Sequence, residues 1–328
     1  MKKYSLLAAI LAFAFVVMAE AQEPRSFRCP PYLHRGDTVA IVSPAAKLRR
    51  KKIEKTFAMI ESWGLHVKLE PNYAIDTCVY FAGSDRDRAS DFQAALDDPS
   101  VKAIIACQGG YGSVRILPML DFENFKRNPK WVVGFSDITM LHLAVRKMEI
   151  QSIHGTMPSQ FETHPDSLDL SAESLRKALF GEVKEYVCEP HPMNRKGKAA
   201  GILAGGNMII LTSAAGTPEA VNGEQPSVLF VEETNESAYR LDRMMQQLLC
   251  SGALDNVTAI VGGHFTGIYN ENRFIEHGAI LREYADKLGI PLMLGLPAGH
   301  DKPNMSLYMG RCVEVEVTDT SATLRFKE

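Results

Sequence analysis

The spacing of hydrophobic positions divides most of the chain into short strands and amphipathic helices. Apolar runs with the length of strands occupy residues 38–42, 66–69, 101–106 and 131–135, and segments with one apolar helical face occupy 51–63, 85–96 and 139–148. Strands that alternate with helices are typical of a parallel sheet with helices on both faces. We therefore predict an α/β fold, in which ligands bind beyond the carboxyl ends of the strands.

This pattern is interrupted between residues 162 and 200, where proline, histidine and basic residues break the periodicity. We interpret residues 166–200 as a linker between an N-terminal α/β domain at 30–165 and a smaller C-terminal β/α domain at 201–328. In the second domain we predict strands at 201–203, 228–231, 257–261 and 291–294, helices ending at 215 and covering 238–249 and 273–288, a turn at Gly205-Gly206-Asn207, and a terminal hairpin of 312–317 with 322–326.

The first 21 residues have the composition of a secretory signal peptide. Two lysines precede an apolar run from Leu6 to Met18, and Ala19-Glu20-Ala21 fits the small-x-small rule for cleavage. The run is shorter than the roughly 20 residues of a membrane span. We therefore expect an exported protein, located in the periplasm, without a stable membrane anchor.

Composition and charge exclude several other classes of protein. The chain has 328 residues, a formal net charge of −3 and six cysteines with no C-x-x-C pair. A zinc ribbon and a dithiol redox motif are therefore not indicated, and without a basic stripe no nucleic-acid partner is expected. We expect no cofactor and no metal.

The segment Gly134-Phe135-Ser136-Asp137-Ile138 joins an apolar strand to an amphipathic helix. A serine at such a turn projects its hydroxyl from the sheet edge and leaves the next backbone N–H available for an oxyanion, as in a nucleophile elbow. The alternative is a serine that only caps the helix. A serine hydrolase is thus one hypothesis among two for Ser136.

A second loop, Gln108-Gly109-Gly110-Tyr111-Gly112, follows the predicted strand at 101–106. Three glycines in five residues allow close approach of the backbone to a ligand, so the loop could form half of an oxyanion site. A phosphate-binding loop is not supported because neither G-x-x-x-x-G-K-[ST] nor G-x-G-x-x-G with a later acidic residue is present. A plain tight turn stays open.

Acidic residues and histidines follow strands of the second domain. Glu232 ends one strand, whereas Glu233 and Glu236 have the simpler role of placing negative charge at a helix start. His264 and His300 both lie at predicted strand ends, and either could serve as a general base. Position alone does not choose between them, and a zinc site built from both with an acidic residue is a weaker alternative because no H-E-x-x-H motif accompanies them.

Taken together and in order, these motifs resemble the LD-carboxypeptidases, also called muramoyltetrapeptide carboxypeptidases, which include the microcin-immunity peptidases. The matching segments are Val39 to Ala45, Gln108 to Gly112, Gly134 to Thr139, Gly205 to Asn207, Leu229 to Arg243 and Gly295 to His300. The resemblance spans about residues 36–310. Two positions depart from the family pattern, Gln108, where members often carry arginine, and Glu233, where aspartate is commoner.

The resemblance implies a serine hydrolase with a flavodoxin-like N-terminal domain. Ser136 would be the nucleophile, His300 the general base and Glu232 the acid that orients the imidazole, with the N–H groups of Gly110 and Asp137 forming the oxyanion hole. The expected substrate is a peptidoglycan-derived murein tetrapeptide, cleaved at its L,D-peptide bond to release D-alanine, and homodimers are common in the family. The signal peptide sets this chain apart, because well-known members that recycle murein peptides work in the cytoplasm.

Contacts to substrate are expected from Tyr111, Arg115, Asn207 and Arg240, with the two arginines as candidates for binding the terminal carboxylate. Two alternative functions remain. One is a microcin-immunity-like peptidase or amidase that acts on acylated peptide conjugates. The other is an exported protein that binds muropeptides without cleaving them.

Overall fold

The computed structural model describes residues 25–48, 50–75, 78–162, 168–221, 225–270 and 274–328. In the first half, strands β1 (Thr38–Val42), β2 (His66–Leu69), β3 (Val101–Ala106), β4 (Trp131–Gly134) and β5 (Ser152–His154) alternate with helices α1 (Arg50–Ser62), α2 (Asp85–Asp97), α3 (Ser113–Ile116), α4 (Glu123–Arg127) and α5 (Thr139–Lys147). The strands pair in parallel in the order β2-β1-β3-β4-β5. This is the flavodoxin-like order, and it confirms the predicted fold class.

The second half builds a mixed sheet of seven strands. It contains β6 (Glu185–Cys188), β7 (Gly197–Asn207), β8 (Ser227–Thr234), β9 (Val257–Thr266), β10 (Leu292–Met293), β12 (Cys312–Val317) and β13 (Ala322–Phe326), with helices α6 (Leu170–Leu179), α7 (Met208–Ala214), α8 (Ala238–Cys250) and α9 (His277–Leu288). Strands β10, β9, β8 and β7 are parallel, and β12, β13 and β6 extend the sheet in antiparallel fashion. The carboxyl ends of β8 and β9 therefore meet at one edge.

A late strand joins the two sheets. Strand β11 (Leu307–Met309) pairs antiparallel with β5 and so becomes the sixth strand of the first sheet, although the strands around it in sequence belong to the second. One hydrophobic core contains buried residues of both sheets, among them Ile41 and Val133 from the first and Val228 and Phe230 from the second. The fold thus packs the two sheets around a shared interior.

The segment that we interpreted as a linker carries regular structure where it is described. Helix α6, strand β6 and the first residues of β7 all fall within 168–200, and Leu175 and Leu179 of α6 are fully buried in the shared core. The broken periodicity reflects a short amphipathic helix and a half-exposed edge strand, followed by a turn that contains Pro190 and Pro192. The domain bounds themselves stay a prediction, and residues 163–167 lie outside the described range.

Two other expectations differ from the structure. Gly205-Gly206-Asn207 is the end of β7 and not a turn, and β9 continues past the predicted Val261 to Thr266, so that His264 lies within the strand. The proposed signal peptide lies outside the described residues. Among those described, none of the helices has both the length and the apolar character needed to cross a bilayer.

Candidate active site

Ser136 stands at a sharp turn between β4 and helix α5. Its φ is 61°, in the left-handed region that side-chain-bearing residues avoid, and it opens a short 3₁₀ helix, Ser136–Ile138, that runs directly into α5. Gly134 makes the turn possible because a Cβ there would lie 2.8 Å from Cγ1 of Ile138. The strained backbone and the partly exposed serine match the geometry of a nucleophile elbow.

A histidine from the second half of the chain lies against this serine. His300 follows β10, and its Nε2 is 3.0 Å from Oγ of Ser136. Its Nδ1 is 2.6 Å from Oε2 of Glu232, a fully buried residue of β8. Phe135 packs edge-on against the imidazole with ring centroids 4.9 Å apart, which limits its rotation. Serine, imidazole and carboxylate therefore form one continuous hydrogen-bonded chain.

The glycine loop after β3 borders the same serine. A Cβ on Gly109 would lie 3.1 Å from Cβ of Ser136 and 3.5 Å from the backbone N of Asp137, so only a glycine leaves this space open. Gly110 has a φ of 97° and is exposed beside it. The N–H of Asp137 belongs to the first turn of the 3₁₀ helix, where backbone donors lack an intrahelical acceptor. The loop and the turn thus face a common space next to Oγ.

Buried charged side chains hold the glycine loop in place. The carboxylate of Asp137 accepts a hydrogen bond of 2.8 Å from the backbone N–H of Ser113, and burial raises the pKa of this carboxyl. Arg88, which is almost completely buried, donates to the carbonyl oxygens of Gly112 and Pro44 and pairs with Asp85. The loop is therefore fixed both to the serine turn and to helix α2.

The structure treats the two candidate histidines differently. His264 lies within β9, and its Nδ1 accepts a bond of 3.3 Å from the backbone N–H of Asp301, next to His300. Burial lowers the pKa of His264. It supports the loop that carries His300, whereas His300 itself contacts Ser136. Within the described residues, no group of three or more His, Cys, Asp or Glu side chains could hold a metal ion.

Two profiles of one protein family match this chain. The N-terminal domain profile of LD-carboxypeptidases matches residues 39–155, and the C-terminal domain profile matches residues 200–315. A probable murein peptide carboxypeptidase of Bacillus subtilis is 31% identical over 301 residues, which are 90% of this chain and 93% of that protein.

The chain belongs to the LD-carboxypeptidase family. A murein tetrapeptide carboxypeptidase of Pseudomonas aeruginosa is 30% identical over 85% of this chain and 92% of its own. The crystal structure of muramoyltetrapeptide carboxypeptidase from Oxalobacter formigenes superimposes with a TM-score of 0.79 at 28% identity, covering 89% of this chain and 99% of that one. The protein is accordingly an enzyme of the carboxypeptidase class.

The four residues expected to bind substrate in this LD-carboxypeptidase have different surroundings. Tyr111 is exposed at the glycine loop and packs against Phe81. Arg115 forms a two-pronged ion pair with Asp85, with contacts of 2.7 to 3.1 Å. Their binding roles stay predictions.

The other two come from the second sheet. Asn207 is buried and donates through Nδ2 to Oε1 of Glu233 at 2.9 Å. Arg240 lies on the surface of α8, 3.4 Å from Glu236. The carboxylate of Glu233 also accepts the N–H of Ile209 at the start of α7, and burial raises the pKa of Glu233. Glu233 thus braces the edge that carries Glu232.

Sequence reasoning overlooked Arg88 and the loop residues that follow His300. Arg88 lies in the predicted amphipathic helix at 85–96, where an arginine that falls among the apolar positions would have been the signal. No periodic pattern marks Lys302 or Asn304, because they belong to an irregular loop whose path depends on the whole fold.

Proposed function

We propose that this LD-carboxypeptidase is a serine enzyme that hydrolyses the L,D-peptide bond of a murein tetrapeptide and releases the terminal D-alanine. The observation that carries the proposal is the chain of contacts from Glu232 through His300 to Ser136, at 2.6 and 3.0 Å. Each contact is of hydrogen-bond length, and the histidine is oriented by a buried carboxylate, as a general base requires.

In the proposed mechanism Ser136 attacks the carbonyl carbon of the scissile bond while His300 removes the hydroxyl proton through Nε2. Glu232 keeps Nδ1 protonated and stabilises the positive charge that the imidazole gains. The N–H groups of Gly110 and Asp137 stabilise the tetrahedral oxyanion, and each such donor is typically worth about 3 kcal/mol of the barrier. His300 then protonates the leaving amine, and water hydrolyses the acyl-enzyme.

The choice of substrate rests on the relatives. The Bacillus and Pseudomonas proteins carry murein peptide and murein tetrapeptide in their names, and the Oxalobacter structure is a muramoyltetrapeptide carboxypeptidase. A D-amino acid released from such a peptide leaves a tripeptide. Export to the periplasm and assembly as a homodimer belong to the same proposal, and cell fractionation and light scattering of the purified protein test them.

The test is to incubate the protein with purified murein tetrapeptide and to follow D-alanine by mass spectrometry, beside Ser136→Ala. We expect release by the wild type and a loss of at least about a thousandfold in the variant, since removal of a triad member typically costs more than that. Ser62→Ala is the control, because the hydroxyl of this exposed serine donates to the carbonyl of Met59 within α1.

Three results would contradict the proposal in different ways. Full activity of a folded Ser136→Ala variant would reject the serine mechanism. Hydrolysis of acylated peptide-nucleotide conjugates in preference to tetrapeptide would assign the microcin-immunity type of substrate. Tight binding of the tetrapeptide without any turnover would indicate a binding protein.

A further inference from the structure

A cavity of about 320 Å³ borders His300 on the side of the loop that follows it. Its walls come from three places in the chain: the 3₁₀ turn Pro158–Gln160, Ser171 at the start of α6, and the residues Asp301, Lys302 and Asn304. The cavity therefore shares a wall with the candidate catalytic histidine while drawing its other residues from outside the triad.

The interior of this cavity is polar and rich in hydrogen-bond donors. Asn304 is 3% exposed; its Oδ1 accepts the N–H of Gly299 and its own N–H donates to Oγ of Ser171, both at 2.9 Å. Its Nδ2 has no acceptor among the described residues. A hydroxyl that accepts one hydrogen bond can also donate its own proton, so Ser171 adds a second potential donor to this wall beside the amide of Asn304.

Lys302 supplies a positive charge at the rim. Its Nζ lies 3.7 Å from Oε2 of Glu162, which is beyond hydrogen-bond length, and both side chains are partly exposed. A loose surface pair of this kind contributes little to stability, so the ammonium can exchange Glu162 for another carboxylate at small cost. Asp301 also lies at the rim and accepts the backbone N–H of Lys302 at 2.8 Å.

We propose that this cavity receives a carboxylate of the peptide substrate, namely the α-carboxylate of the D-residue that leaves, with Lys302 as its cationic partner. This inference rests on the proposed function. In a serine peptidase the histidine donates its proton to the leaving amine, so the leaving residue lies against the imidazole. His300 forms part of the wall of this cavity. Arg115, an earlier candidate for binding the carboxylate, is already ion-paired with Asp85.

A carboxypeptidase must also distinguish a chain end from an internal peptide bond. A cation with neutral donors beside it binds a free carboxylate and loses most of that interaction with an amide. Lys302 would therefore determine the preference for the terminal residue without touching the reacting atoms.

The experiment compares hydrolysis of the tetrapeptide with hydrolysis of its C-terminal amide by wild type, Lys302→Gln and Lys302→Arg. We expect Lys302→Gln to raise KM for the acid about tenfold, a typical effect of losing one bond to a charged group, with kcat within about twofold. KM for the amide should not change, and Lys302→Arg should restore the preference. The control is Lys196→Gln, which removes a similarly exposed lysine paired with Asp319 in a different region.

The same measurements show which carboxylate of the substrate the cavity binds. Lys302→Gln could instead impair hydrolysis of the acid and of the amide equally, and only for peptides with diaminopimelate rather than lysine at the third position. In that case the cavity binds the diaminopimelate side chain, and the assignment to the leaving residue is wrong. If Lys302→Gln keeps the full preference for the acid over the amide, Lys302 does not bind the terminal carboxylate.

A binding measurement keeps the inference testable when turnover is absent. Calorimetry with Ser136→Ala and with Ser136→Ala combined with Lys302→Gln should show that the first binds the acid about tenfold more tightly than the second, while the amide binds both equally. A wild type without tetrapeptidase activity would reject the proposed function alone. Equal binding of acid and amide by Ser136→Ala would reject the carboxylate site.

Discussion

At the scale of single residues, the surroundings of Ser136 depend on nearby glycines, which have no Cβ. Its left-handed backbone carries strain of about 1–3 kcal/mol, which the surrounding structure has to offset. Gly134 permits the turn, and Gly109 leaves room for the serine side chain. The turn that presents the hydroxyl and the space beside it thus each depend on a position without a Cβ.

Gly109→Ala should therefore reduce activity with little loss of stability. The φ of Gly109 is not in the left-handed region, so alanine adds no backbone strain there, but its methyl group would lie 3.1 Å from Cβ and 3.4 Å from Oγ of Ser136. We expect kcat/KM to fall at least about a hundredfold, as displacement of reacting groups typically causes, while the melting temperature shifts by only a few degrees.

The matched control is Gly278→Ala in helix α9, where the added methyl group meets its nearest neighbour at an ordinary 3.4 Å. This variant should keep wild-type kinetics. Wild-type kcat/KM in Gly109→Ala would show that the substrate does not need the space beside Oγ.

The sequence predicted the serine better than the histidine. Ser136 follows a strand and precedes a helix, a local pattern that can be read directly. His264 and His300 looked equivalent because the end of β9 was placed too early, at Val261; the strand actually runs through His264 to Thr266. The contact of His300 with Ser136 depends on how two sheets pack, which local periodicity does not encode.

At the scale of elements, His142 ties helix α5 to the strands on either side of it. Its Nε2 lies 2.8 Å from the carbonyl oxygen of Gly134 in β4, and its Nδ1 lies 2.9 Å from Oγ of Ser152 in β5. Burial lowers the pKa of His142 from 6.5 to about 4. The imidazole is therefore neutral in the folded protein at pH values where the unfolded chain would be protonated.

This difference predicts loss of stability in mild acid. Above pH 6.5 His142 is neutral in both the folded and the unfolded state. Between pH 6.5 and about 4 the unfolded chain binds a proton at this histidine, whereas the folded protein does not. The free energy of unfolding should decrease through this window, by about 3 kcal/mol in total from this residue. Urea unfolding at several pH values measures the slope.

His142→Asn should flatten that slope, whereas replacement of the exposed His66 by asparagine should leave it unchanged. The slope is compared rather than the stability itself, since loss of the two hydrogen bonds lowers stability at every pH. An identical slope in His142→Asn would assign the acid sensitivity to other groups, such as the buried His154, whose pKa burial also lowers.

Some elements could not be predicted from local sequence. Strand β11 has three residues, too few to show a period, and it exists because β5 offers it a free edge. The edge strand β6 has no continuous apolar face and pairs only with β13. The buried strands β1, β3 and β4, in contrast, were predicted within one residue, since continuous apolar runs mark parallel strands that are covered on both faces.

At the scale of the whole molecule, the two sheets should unfold together. One hydrophobic core contains buried residues of both sheets, and within it Tyr308 of β11 lies fully buried between Tyr32, Trp131 and Phe326. Its hydroxyl donates to the carbonyl of Ala178 in α6 at 2.8 Å. No boundary within this core separates a first unit from a second.

Calorimetry should accordingly show a single transition, with equal calorimetric and van't Hoff enthalpies. Tyr308→Ala should lower the stability of the whole by about 4 kcal/mol, as large core truncations do, without splitting the transition. Tyr269→Ala, which truncates an exposed tyrosine, is the control. Two resolved transitions, in the wild type or in Tyr308→Ala, would mean that the sheets are independent units.

The pairing of β11 with β5 also bears on the order of events during synthesis. Ser136 leaves the ribosome long before His300, and the sheet that carries the serine lacks its sixth strand until Leu307–Met309 has been made. If Ser136 and His300 act as proposed, a partly synthesised chain holds a nucleophile without its base, on an incomplete sheet. Such a chain should not cleave peptides, and hydrolytic activity should begin only when nearly the whole polypeptide has been produced and folded.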